Sequence, residues 1–116
     1  METFVDECAY AVGMDPLEYR LKLYAKWPDT AWVKCLKEVA NKSGWGKKLP
    51  AGRAMGVALM EGYGTYMAQI AEVSVSGSDI KVHKVTVACD CGRMVNPGIV
   101  RQQLESGIVY GLSHAL

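Results

Sequence analysis

The hydrophobic period of this chain changes part-way along, and no single kind of regular element accommodates both halves. Up to Ser43 apolar residues recur at helical spacing, most clearly Trp32, Cys35, Leu36, Val39 and Ala40. From Ala54 the pattern turns strand-like, and Ala71, Val73 and Val75 alternate with Glu72, Ser74 and Ser76 as in a half-buried strand. Between the two, residues 44–53 have no period and hold Gly44, Gly46, Gly52 and Pro50, which marks a surface connector. Trp45 within it is expected to fold back onto the helices. At 116 residues, half of them hydrophobic, the chain has room for one modest core. The reading is one α+β domain over residues 1–116, with a helical N-terminal half (1–43), an antiparallel sheet of about three strands (54–89) and a C-terminal helix (96–116).

Local signals divide these regions. Thr3 reads as an N-cap with Asp6 as its capping acid; Phe4, Val5, Cys8 and Val12 share a side, and Gly13 ends this first helix. Asp15-Pro16-Leu17-Glu18 is a stronger start, with Asp at the cap, Pro at the first helical position and Glu18 able to reach back to the cap N–H. It predicts a helix from Pro16 to about Ala25 with Leu17, Leu21 and Tyr24 inward. Pro28-Asp29-Thr30 breaks that helix and caps a third, which Ser43-Gly44 ends. Later, Glu61 to Thr65 is a Gly-rich link and Gly77-Ser78-Asp79 a hairpin turn. In the last strand Ile80 and Val82 are out of phase with Val85 and Val87, which predicts a bulge near His83-Lys84.

Composition excludes several functions. Thirteen basic and twelve acidic residues leave a formal charge of +1, which offers no electrostatic footprint for nucleic acid. No apolar run approaches the length of a membrane span, and the first residues lack the basic and apolar regions of a signal peptide. The expected compartment is the cytoplasm, with the periplasm as the alternative for a longer parent subunit. The four cysteines, at positions 8, 35, 89 and 91, form no spaced disulfide framework, so reduced thiols are expected. Cys89 and Cys91 flank Asp90, and their side chains are expected to diverge. With His83 and His114 the only histidines, no metal site is expected there.

The stretch from Cys89 to Leu116 carries the most chemistry. Asp90 ties down a turn, and Asn96-Pro97 opens a helix whose one face holds Val100, Gln103, Leu104, Gly107, Ile108, Gly111, Leu112 and Ala115. Glycine inside a helix costs about 1 kcal/mol relative to alanine. Gly107 and Gly111 nevertheless sit one turn apart and strip that face to backbone, while Gln103, one turn earlier, offers two donors and an acceptor. Two readings stay open: close packing against another helix or sheet, and the wall of a cofactor or substrate pocket. Other side chains point to less. Glu61 is expected to be a turn carboxylate, Arg93 a surface cation near the helix start, and His114 either a partner of the helix dipole or a solvent-facing side chain.

Cys89-Asp90-Cys91-Gly92, Asn96-Pro97, Gln103-Leu104-Glu105-Ser106-Gly107 and Gly111-Leu112 resemble a segment of the molybdenum-binding subunits of the xanthine dehydrogenase and aldehyde oxidase family. Phe4 to Ala9 and Gly13 to Leu21 resemble two helices of the same family. Gly44-Trp45-Gly46, Pro50 to Gly56 and Tyr66 to Val73 are most similar to its isoquinoline 1-oxidoreductase beta branch. The resemblance covers essentially the whole chain. It implies part of an oxidoreductase that hydroxylates aldehydes or N-heterocycles with a molybdopterin cofactor, electrons leaving through an iron–sulfur partner subunit or domain. Gln103 then matches the family glutamine that hydrogen-bonds the pterin, and Gly107 the small residue beside it.

Two departures matter. Glu105-Ser106-Gly107 stands where the family has Glu-Gly-Gly, and the chain reaches Leu116 without the Gly-x-Gly-Glu segment that carries the family's catalytic base. The resemblance therefore implies a fragment of a longer subunit, holding no catalytic residue, expected to be inactive and to bind no cofactor by itself. The alternative is a stand-alone, non-catalytic α+β module that self-associates through the Gly107/Gly111 face or a free sheet edge.

Overall fold

A computed structural model describes all residues from Met1 to Leu116. Three helices come first, α1 (Glu2–Ala11), α2 (Pro16–Tyr24) and α3 (Ala31–Ser43). A three-stranded antiparallel meander follows, β1 (Arg53–Gly62), β2 (Thr65–Ser76) and β3 (Asp79–Asp90), with β2 central, and then α4 (Pro97–Ala115). The α+β architecture and its three parts are as expected.

The strong helix signals act where they were read. Asp15 accepts from the N–H groups of Leu17 and Glu18 at 2.9 and 3.0 Å. Glu18 does not reach back to the cap. It pairs with Lys22 at 2.9 Å, one turn on, a spacing that suits an exposed ion pair. Asp29 accepts from Ala31 N–H at 2.9 Å, and Gly44 ends α3 in the left-handed conformation, φ 80°. Trp45 turns back as expected, donating its indole N–H to the Asp15 carboxylate at 3.1 Å.

The reading of α1 needs correction. The helix begins at Glu2 with Met1 as its cap, and Phe4 and Val12 are exposed, whereas Ala9 is fully buried. A partner that sequence periodicity does not display sets this rotation. Arg20 of α2 is completely buried and takes the Asp6 carboxylate at 2.6 Å and the Glu2 carboxylate at 3.2 Å. The same Glu2 carboxylate accepts the Leu59 N–H of β1 at 2.7 Å. A buried guanidinium requires such partners, and meeting them turns Glu2 and Asp6 inward.

Register assigns each side chain of the sheet to a face. Opposed pairs share a side, so Val57, Leu59, Ala68 and Ile70 lie on one face with Thr86 and Ala88. There α3 packs, and Leu17, Cys35, Leu36 and Val39 complete the core with those buried strand residues. Trp32 stacks on Tyr24 at a ring separation of 4.9 Å and meets Tyr66 edge-on at 5.0 Å. The opposite face carries Ala71, Val73, Val75, Ile80, Val82, Val85 and Val87, mostly half-buried. Of the alternating residues Ala71 and Val73 are half-buried as expected and Val75 is exposed, while the fully buried residues of β2 are Ala68 and Ile70 on the other side.

The predicted bulge is present. Lys84 opposes Glu72 and Val82 opposes Val73, leaving His83 unpaired between them. It returns Ile80 and Val82 to the face of Val85 and Val87. Ser74 Oγ and His83 Nε2, 2.8 Å apart, hold it. Tyr63 and Gly64, both at positive φ (55° and 76°), turn the first hairpin in two residues, and Gly77 at φ 62° opens the second.

α4 is attached differently. It runs back alongside β3, so that Ala115 and Leu116 share a shallow depression with Ser78, Asp79 and Ile80. It buries no residue. Accordingly the radius of gyration, 14.7 Å, exceeds the roughly 13 Å of a close-packed chain this long. No helix is long and apolar enough to cross a membrane.

Candidate functional site

α4 starts where its sequence says it should. The Asn96 side chain accepts the Ile99 N–H at 3.2 Å, and Pro97 holds the first helical position. Upstream, Asp90 accepts the Gly92 N–H at 3.1 Å, closing the turn that leaves β3 as expected.

The single apolar face read from the sequence divides into two rows. Val100, Leu104, Ile108 and Leu112 are half-buried along one line, and Gln103, Gly107, Gly111 and Ala115 are exposed along another. One residue is about 100° of helix, so the second row lies about that far around from Leu104, Ile108 and Leu112. A Cβ placed on Gly107 or Gly111 would meet no atom within 4 Å. The bare strip is thus open to its surroundings, and within this chain nothing packs against it closely. Gln103 is likewise exposed at one end of the strip. On the next turn Arg101 and Glu105 pair at 2.8 Å across solvent, which holds both charged groups to each other.

At the other end of the turn lies a cleft of about 440 Å³ between α3 and β3, whose lining includes Lys34, Cys35, Lys42, Cys89 and Asp90. Burial is the largest reason that the Cys89 thiol is pushed up to about 11; the neighbouring Cys91 thiol adds to it by charge and by a hydrogen bond. Burial also raises Cys35, with the Asp90 carboxylate contributing. The expectation that Cys89 and Cys91 diverge is therefore overturned. Residues two apart in extended chain line one face, so the strand delivers both thiols to the same side.

The remaining candidates are where bland chemistry would put them. Glu61 is exposed and accepts the Gly64 N–H at 3.1 Å, which occupies it as a turn carboxylate. Arg93 and His114 are exposed. The structure brings Gln103 and Gly107 onto one strip and leaves Glu61 elsewhere, at the β1–β2 hairpin. Sequence reasoning missed the buried Arg20 and its partner Glu2; an arginine at an apolar position of α2, flanked by Leu17 and Leu21, was the available signal for the first.

An open amide beside bare helix backbone suits a flat, hydrogen-bonding heterocycle. In a comparison with protein families, residues 14–116 match the molybdopterin cofactor-binding domain. The chain belongs to this family. Among curated relatives, it is 33% identical over 120 residues to the beta chain of isoquinoline 1-oxidoreductase of Brevundimonas diminuta, covering 99% of this chain and 15% of that protein. It is 30% identical to a nicotinate dehydrogenase subunit of Pseudomonas putida, covering 99% of this chain and 11% of the relative. It is also 30% identical to a protein of Gluconacetobacter polyoxogenes named membrane-bound aldehyde dehydrogenase (pyrroloquinoline-quinone), covering 100% of this chain and 18% of the relative. The chain thus spans less than a fifth of the length of these relatives. No solved structure matches it significantly.

Proposed function

We propose that this chain is the part of a molybdenum-dependent oxidoreductase that presents a helix edge to the pterin cofactor. Substrates are aldehydes or N-heterocycles, and an iron–sulfur subunit or domain takes the electrons. The bound cofactor supplies the redox chemistry; protein groups bind and orient. Gln103 is assigned the hydrogen bonds to the pterin, Gly107 and Gly111 the close approach of backbone to ring, and Asn96 the fixed start that aims α4. No residue of this chain is assigned a catalytic role. The observation that carries the reading is the open row of Gln103, Gly107 and Gly111 in a chain of the molybdopterin cofactor-binding family.

The test uses the full subunit that contains this chain. Gln103→Ala is expected to lower molybdenum content, read by plasma mass spectrometry, and pterin content, read by fluorescence after oxidation, several-fold while circular dichroism is unchanged. Full retention of both would remove Gln103 from the cofactor site. Absence of molybdenum and pterin from the unmodified subunit, with a quinone in their place, would overturn the cofactor assignment itself.

A second reading, a self-associating module without chemistry, draws on the exposed Ile99, Val109 and Tyr110 of α4. It requires sedimentation of the purified chain to show a concentration-dependent dimer that Tyr110→Glu abolishes.

A further inference from the structure

We propose that the face of β1 turned away from α3 is the docking surface for an amphipathic helix supplied by another part of the same subunit, an inference that rests on the proposed membership of this chain in a longer subunit. Ala54-Met55-Gly56-Val57-Ala58-Leu59-Met60 holds no polar side chain. An unbroken apolar run of this length is the pattern of a strand covered on both faces, whereas a strand with one face in water alternates. This chain covers only one face of β1. Val57 and Leu59 are 4% and 7% exposed in the core, but Ala54, Gly56 and Ala58, which alternate with them, are exposed, and Met60 is 60% exposed. A Cβ on Gly56 would meet no atom within 4 Å, so nothing overlies the middle of this row. The end of α4 lies beside Asp79 and Ile80 of β3, at the opposite edge of the sheet from β1.

The shape and chemistry of the row select the occupant. From Ala54 to Met60 the row is about 20 Å long, the length of about thirteen helical residues. A helix is about 10 Å across, or about two strand spacings, so the strip seats one helix rather than a second sheet. The small side chains at 54, 56 and 58 form a low floor into which larger side chains of that helix fit. Opposite them in β2, on the same face, stand Met67, Gln69, Ala71 and Val73, so no charge borders the row and the matching helix face is apolar. The footprint of such a helix is about 200 Å², well below the roughly 800 Å² per partner that holds two free proteins together. A segment tethered in the same chain escapes that requirement, because the tether supplies a high effective concentration. The curated relatives have room for one, since this chain spans between 11% and 18% of their length.

The experiment compares hydroxyl-radical oxidation of Met60 in the full subunit and in the 116-residue chain, located by tandem mass spectrometry on the tryptic peptide of residues 54–81. Met60 is expected to oxidise several-fold more slowly in the subunit, with the cofactor bound or removed. Gly56→Lys is expected not to lower the melting temperature of the chain, because the new side chain enters open space. In the subunit the same change is expected to lower the melting temperature by several degrees and return Met60 to the rate seen in the chain. Equal oxidation of Met60 in chain and subunit overturns the proposal, as does a Gly56→Lys subunit that melts unchanged. Protection that disappears when molybdenum and pterin are removed also overturns it, since the cofactor is then the cover. Protection present in the chain alone, at concentrations where it sediments as a dimer, overturns it by making a second copy the occupant. A subunit that lacks molybdenum and pterin yet shields Met60 breaks the cofactor reading and supports this one.

Discussion

Helices α3 and α4 both carry apolar residues at helical spacing, yet α3 buries Ala31, Cys35, Leu36, Val39 and Ser43 while α4 buries nothing. The difference lies in what interrupts each stripe. α3 fills its inward face with side chains that interlock with Val57, Leu59, Ala68 and Ile70. α4 sets glycines and an amide beside its row of Val100, Leu104, Ile108 and Leu112, so half of its face has nothing with which to interlock. Periodicity therefore reports which face is apolar, and side-chain volume reports whether the chain itself covers that face. On α4 the glycines leave a strip that no side chain of this chain covers.

The largest test of this contrast is a matched truncation. Leu36→Ala should destabilise the protein by about 2–5 kcal/mol, as deletions in a closed core do, whereas Leu104→Ala should cost under about 1 kcal/mol. Urea denaturation measures both, and equal losses would show that α4 is as firmly built in as α3. A smaller effect is expected from Asn96→Ala, which removes the cap of α4 and should cost about 1 kcal/mol of local helix stability, read as faster amide exchange over the first turns of α4 with no change in α3. Gly107→Ala should move in the opposite direction. Its new methyl group meets nothing within 4 Å, so helix propensity should gain up to about 1 kcal/mol in this chain, measured as slower exchange across α4. The same change in the full subunit should reduce pterin retention, a divergence that simple helix packing would not produce.

The smallest effect concerns the other end of the α3 face. The Tyr66 hydroxyl, then the Ala31 N–H, hold the Asp29 carboxyl below the ordinary carboxylate range. A depressed folded pKa contributes stability that is fully present above the unfolded value, about 3.9, and lost as the pH falls through the lower folded value. Tyr66→Phe should therefore flatten the acid limb of a plot of melting temperature against pH below about pH 4, leaving the neutral region nearly unchanged. An unaltered acid limb would mean that the Asp29–Tyr66 contact does not persist in solution.

Much of this was legible beforehand where a short-range rule decided the outcome. The caps at Asp15 and Asn96, the glycine stop at Gly44 and the bulge at His83 all follow from neighbours a few residues apart. Gln103 and Gly107 could be placed on one strip for the same reason. What escaped depends on partners distant in sequence. Arg20 draws in Glu2 and Asp6 from α1 and thereby turns Phe4 outward, and no local pattern in residues 2–11 contains that arginine. The splitting of the α4 face into covered and open rows likewise depends on what the rest of the fold brings near. The Cys89–Cys91 arrangement is a different case. The alternation of an extended strand was enough to place both thiols on one side.

The bulge at His83 has a consequence for how β3 tolerates changes of length. Deleting His83 would leave Val82 opposite Val73 and Lys84 opposite Glu72 in an unbroken ladder, with every side chain on its present face and only the tie to Ser74 lost. Deleting Thr86 instead would draw Val85 opposite Ile70 and move Lys84 opposite Ala71, onto the valine face. The strand thus holds one expendable residue, and the sheet can be shortened there without disturbing the exit that carries Cys89, Cys91 and the start of α4.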